Sequence, residues 1–175
     1  MTDETTKEAW YVVHTKSRFE NVVSEGLTKR ARGAFLPKMR VKSRRRDRHK
    51  MIHVPLFPGY VFVRCTLNPY EMVEVLKTTG VVRFVGNRSR PIAVPDNDIE
   101  SLRIMIGTEL PVTTGTRFKK GDRVMVIAGP FAGVTGLFER YRGHDRVLVF
   151  VDALGQFAAV EVAVEDVERL PAILT

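Results

Sequence analysis

Apolar residues crowd together in WYVVHT (10–15) and then spread to helical spacing at Phe19, Val22, Val23, Leu27 and Ala31, until Gly33. The first pattern predicts a short strand and the second a helix. Between them, SRFE has the spacing of a capping box, with Ser17 as N-cap and Glu20 reaching back. AFLPKMRV is extended again, and PGYVFVRC (58–65) alternates from Gly59 onward. Tyr60, Phe62 and Arg64 share one face of that strand, and Val61, Val63 and Cys65 share the other, toward the core. NPYE opens a second helix, with Asn68 as cap, Pro69 at its first position and Met72, Val75 and Leu76 as its apolar stripe. VVRFVG (81–86) is a strand closed by the turn GNRSRP. PDNDIESLRIMIG is a third helix capped by Asp96, with Ile99, Leu102 and Met105 or Ile106 inward.

The order β-α-β-β-α-β followed by a helix is the ferredoxin-like layout, an antiparallel sheet with helices packed mainly on one face. GTELPVTTGTR (107–117) has no periodicity and reads as a linker. After it come DRVMVI, VTGLFERY, RVLVFV and QFAAVEV, short β-branched or aromatic runs between glycine-containing turns. They predict a small all-β barrel. The chain is thus α+β, with a ferredoxin-like domain at 8–107, a linker at 108–117 and an SH3-like barrel at 118–175. Gly129, Gly133 and Gly136 would each interrupt a helix built from this last segment, so it is expected to be permanently β.

Charge sharpens the picture. The 175 residues carry a formal net charge of +8. Residues 1–110 hold 20 Lys/Arg and 12 Asp/Glu, while residues 111–175 hold 8 of each, so all the excess lies in the first part. Its centre is KMRVKSRRRDRHK (38–50), with eight Lys/Arg against one Asp. That run reads as a solvated loop or hairpin tip, and its self-repulsion is relieved when a polyanion meets it. Arg44, Arg45, Arg46 and Arg48 are the candidate nucleic-acid contacts.

Catalytic and metal chemistry find little support. Cys65 is the only cysteine, which rules out an internal disulfide and suits a reducing cytosol. His49 and His53 are four apart, but on extended chain that is about 13 Å, too far to share one ion. AGPFAGVTG (128–136) lacks the Gly-Lys-Ser/Thr ending of a phosphate loop and leads into a strand. No cofactor, metal site or enzymatic activity is expected. The N-terminus lacks the parts of a signal peptide, no apolar run approaches a membrane span, and a cytoplasmic, monomeric protein is expected. One alternative stays open. An RNA recognition motif has the same element order, and its third-strand signature is matched at Gly59, Tyr60, Phe62 and Val63 and missed at Pro58, Val61 and Cys65.

Four segments, WYVVHTKSRFE, PLFPGYVFV, GVVRFVG and FKKGDRVMVIAGPFAGVTG, together resemble the NusG family of transcription elongation and antitermination factors. The first three resemble its N-terminal (NGN) domain and the last its KOW motif. The run from PLFPGYVFVR to TTGVVRFVG looks closest to the specialised, RfaH-like members. The resemblance implies an NGN domain that docks an exposed aromatic patch on the clamp helices of the RNA polymerase β′ subunit and suppresses pausing. His14, Phe57, Tyr60 and Phe62 would form that patch, left open by the barrel. Lys16 and Arg18 match the position where family members meet non-template DNA. The resemblance further implies that the KOW domain recruits a second partner, termination factor Rho or a small-subunit ribosomal protein, through Phe131 and Leu154.

Overall fold

The computed structural model describes residues 6–30, 32–45, 50–87 and 90–171. In chain order the first elements are β1 (Ala9–Thr15), α1 (Glu20–Lys29), β2 (Gly33–Phe35), β3 (Lys38–Lys42), β4 (Met51–Pro55) and β5 (Tyr60–Cys65). Then come α2 (Pro69–Leu76), β6 (Val81–Phe84), β7 (Gly86–Asn87), β8 (Arg90–Pro91) and α3 (Asp96–Gly107). The rest is extended: β9 (Thr113–Gly115), β10 (Arg123–Val126), β11 (Thr135–Tyr141), β12 (His144–Val151), β13 (Gln156–Glu161) and β14 (Val167–Arg169).

Residues 1–36 and 57–96 form one compact unit, and residues 37–56 and 97–175 a second. The sheet of the first unit has the order β2-β5-β1-β6, with β5 antiparallel to both β1 and β2 and β6 antiparallel to β1. With the β3–β4 hairpin set aside as an insertion, this is the ferredoxin-like order expected from the pattern of strands and helices. One face carries Tyr11, Val13, Val61, Val63 and Cys65, packed with Val23 and Leu27 of α1 and Val75 of α2. The alternation of β5 therefore points its valines inward as predicted. Burial pushes the Cys65 thiol up to about 12, with the Glu71 carboxylate adding to it, so the sulfur is an inert core atom.

The first two helices start differently from one another. Asn68 caps α2 as expected, its Oδ1 accepting from the Glu71 N–H at 2.8 Å. The Glu71 carboxylate then accepts from both the hydroxyl and the N–H of Thr66, each at 2.6 Å, and from Arg32 at 2.5 Å. Thr66 first, then Arg32, hold that carboxyl below its usual range against the effect of burial. At α1 the expected capping box does not form. The helix starts later than a Ser17 cap would place it, with Phe19 in the cap position and no side-chain cap. Glu20 instead reaches across to Gly59. Val22, Val73 and Leu76 are exposed, so the apolar stripes are narrower than their spacing predicts.

The second unit is built on a six-stranded antiparallel sheet of order β14-β10-β11-β12-β13-β9. Leu148, Phe157 and Ala159 form a buried cluster with Phe118, Leu137 and Phe150 packed on it. Part of the segment read as a linker is a strand: Thr113–Gly115 pairs with Phe157–Ala159, extending the sheet by one edge. Local period is invisible in three residues, and only the tertiary partner reveals them. Helix α3 belongs to this compact unit, not to the ferredoxin-like one. Ser101 is buried there, its Oγ accepting from the Thr135 N–H at 3.0 Å and donating to the Thr135 carbonyl at 3.3 Å. Ile99, Leu102 and Met105 are its buried apolar residues, while Ile106 is only half-buried.

Candidate partner and nucleic-acid surfaces

The second face of the first sheet follows from its register. Directly opposed positions point the same way, so the pairs Val12–Phe62 and His14–Tyr60, together with Phe35–Phe62, line one surface. Phe62 lies with its ring centroid 5.8 Å from that of Phe35 and 6.3 Å from that of Phe57. Phe35 in turn meets Trp10 edge-on at 6.4 Å.

This corrects the expected patch in two places. Phe62 and Phe57 are both buried, at 0% and 1% exposure. Alternation does put Phe62 on the face away from Val61 and Val63, but other rings already occupy that face. The ring is thus a core residue of a second aromatic layer and not a bare docking surface. The same finding removes it as a base-stacking platform, which the RNA recognition motif would require.

At the end of the strands the face opens. His14 and Tyr60 are half-buried, with ring centroids 5.4 Å apart. Three links hold this corner. The Thr15 N–H donates to the Gly59 carbonyl at 2.8 Å, the Lys16 N–H donates to the Gly80 carbonyl at 2.8 Å, and Glu20 accepts from the Gly59 N–H at 2.9 Å. Gly59 turns there with φ 87°, a conformation that side-chain-bearing residues rarely adopt. Lys16 and Arg18 are exposed at this junction, and Arg18 has φ 64°, in the left-handed region. Arg83 on β6 is exposed and registers with His14. Residue patterning missed Arg83, because its place beside His14 depends on which strands pair.

The basic run is a hairpin, as its composition suggested. Strand β3 pairs with β4 from Lys38–Pro55 to Lys42–Met51, and the Ser43 N–H continues to the Lys50 carbonyl at 2.9 Å. Lys38, Arg40 and Lys42 share one face with His53, while Met39, Val41, Ile52 and Val54 share the other. Arg44 and Arg45 are exposed near the tip; Arg46 and Arg48, like His49, lie outside the described residues. Arg40 meets Glu109 at 3.2 Å. The expected solvated loop or hairpin tip does not single out Lys38, Arg40 and Lys42, whose shared face follows from the strand register, with their period-two spacing as its sequence signal.

The two expected partner contacts of the β domain sit on different turns. Leu154 is half-buried between β12 and β13. Phe131, between β10 and β11, is 5% exposed and packs inward, so it supports its turn instead of projecting from it. Among the described residues no group of three or more His, Cys, Asp or Glu is placed to hold a metal ion, and no helix is long and apolar enough to cross a membrane.

Comparison with known proteins agrees with this architecture. The family model described as transcription termination factor nusG matches residues 8–103. The transcription termination/antitermination protein NusG of Bacillus subtilis (strain 168) is 30% identical over 174 residues, covering 92% of this chain and 98% of the relative. That of Staphylococcus carnosus (strain TM300) is 27% identical over 183 residues, covering 97% of this chain and all of the relative. Among solved structures, one described as domain interaction in Thermotoga maritima NusG matches at a TM-score of 0.54 and 27% identity, covering 95% of this chain and 99% of that one. With its ferredoxin-like sheet, its C-terminal β domain and these matches along nearly its whole length, the chain belongs to the NusG family.

Proposed function

We propose that this protein is a transcription termination/antitermination factor that binds RNA polymerase through its ferredoxin-like domain and holds the enzyme in its elongating state. The observation that carries this reading is the 30% identity to the Bacillus subtilis protein over 92% of the chain. The half-open corner made by His14 and Tyr60 is where the domain meets the β′ clamp helices. Its rings present apolar area while the buried Phe57 and Phe62 keep that corner rigid, which lowers the entropic cost of docking. Exposed Lys16, Arg18 and Arg83 beside those rings, and the cationic face of the β3–β4 hairpin, contact nucleic acid in the elongation complex by charge. The β domain recruits a second protein, either Rho or a small-subunit ribosomal protein, with Leu154 at the contact.

The test is capture of core RNA polymerase by the immobilised full-length protein in high salt. Retention by the wild type and loss on Tyr60→Ala are expected. Equal retention by both would remove this corner as the polymerase site.

A further inference from the structure

We propose, on the reading that the β domain recruits a second protein, that β9 is a detachable strap over the edge of β13 and that an extended segment of that protein takes its place there. Strand β9 pairs antiparallel with β13, with Gly115 opposite Phe157, Thr114 opposite Ala158 and Thr113 opposite Ala159. It is the last strand of the sheet on that side. Without it, β13 presents unpaired N–H and C=O groups, the arrangement that accepts another strand.

The two strands are unequally held. Phe157, Ala158, Ala159 and Val160 of β13 are all buried, and β13 also pairs with β12 from Arg146–Glu161 to Val151–Gln156. By contrast, no residue from 108 to 118 is buried. Thr113 and Thr114 are exposed, and the Thr113 hydroxyl reaches the Ala159 carbonyl at 3.5 Å, the limit of a hydrogen bond. A strand with so little buried apolar surface opens well below global unfolding, while β13 stays in place. The chain is anchored just beyond it, where the Phe118 ring packs on Phe150 and Phe157 with centroids 4.9 and 6.0 Å away. Phe118 is therefore the fixed end of the strap.

The fit of the resident strand defines what a replacement must offer. A Cβ on Gly115 would lie 2.7 Å from the Phe157 ring, well inside van der Waals contact, so the edge demands a glycine opposite Phe157. Beside this edge lies a mainly apolar cleft of about 740 Å³, with Leu110, Pro111, Phe131 and Val160 in its lining. It seats an apolar side chain of the incoming strand near that glycine. Only a polypeptide offers the alternating N–H and C=O groups that complete the ladder.

The experiment measures amide exchange by NMR in the full-length protein, from zero urea to just below the unfolding transition. The β13 amides that face β9 should exchange at least about tenfold faster than those that face β12, and with weaker urea dependence. Gly115→Val should speed the first set about tenfold again and leave the second as it was. The peptide LPVTTGTRF, residues 110–118, added in excess to that variant should restore slower exchange, and the same peptide carrying Gly115→Val should not. Equal rates and equal urea dependence for the two sets in the wild type would overturn the strap, even if Gly115→Val fails to fold. A folded variant whose exchange the peptide does not slow would overturn the strand-accepting edge. No second protein is present, so either failure is separate from a failure of recruitment.

Discussion

The Glu20 carboxylate accepts a hydrogen bond from the Gly59 N–H at 2.9 Å, tying the first turn of α1 to the loop that precedes β5. Glu20 is buried, so this bond replaces water that the carboxylate has lost. It also fixes the loop beneath Tyr60. Glu20→Ala leaves the Gly59 donor unpaired and should cost about 1–3 kcal/mol in urea unfolding, whereas Glu20→Gln retains an acceptor and should cost less. Equal losses in the two variants would mean that side-chain volume, not the hydrogen bond, matters at this position.

Phe62 and Tyr60 are two residues apart on one strand face and should behave oppositely. Phe62→Ala removes a fully buried ring and should destabilise by about 3–5 kcal/mol. Tyr60→Ala, at the half-open end, should leave a folded protein with a loss nearer to about 1 kcal/mol. Thermal unfolding of each variant checks this, and similar losses for the two would contradict the layered arrangement of rings.

Asp98 of α3 gives the stability a pH dependence. Burial is the main cause that raises its carboxyl from 3.8 to about 6; Arg123 opposes the shift and Asp152 adds to it. The folded state therefore holds this proton when the unfolded state has released it. The resulting stabilisation is fully present below about pH 4 and is lost as pH rises through about 6. Asp98→Asn should raise stability at pH 7 by about 1–2 kcal/mol and flatten the pH dependence between those limits. A variant less stable than wild type at pH 7 would show that attraction to Arg123 outweighs the burial.

The β3–β4 hairpin carries Arg44 and Arg45 exposed beyond β3. Changing Arg44 and Arg45 to Gln removes two exposed cations and should lower the log–log salt slope of duplex DNA binding by up to about 1.8, which is about 0.9 for each phosphate no longer neutralised. Folding should be untouched. An unchanged slope would make these residues a solvated tip only.

Much of this fold was legible in the sequence. Valine alternation in β5, the Asn68 cap and the glycine-punctuated strands of the β domain are local signals, and the structure bears out each of them. What remained hidden depended on partners distant in sequence. Ser17 and Glu20 have the spacing of a capping box, but Gly59 competes for the carboxylate and wins. Phe62 points where alternation puts it, yet Phe35 and Phe57 cover that side, and no local pattern reveals a second aromatic layer. Thr113–Gly115 becomes a strand only because β13 has a free edge, and α3 is tied to β11 through a serine that has no distinctive sequence context.

The proposed role of the His14–Tyr60 corner is to keep RNA polymerase elongating. The decisive measurement is single-round transcription by core RNA polymerase across a defined pause site, with pause lifetime as the readout. The wild-type protein should shorten the pause, and Tyr60→Ala, folded by its thermal melt, should leave the lifetime as it is without any factor. A wild-type protein that leaves the pause unaltered, or a Tyr60→Ala variant that shortens it equally, would rule out this role for the corner.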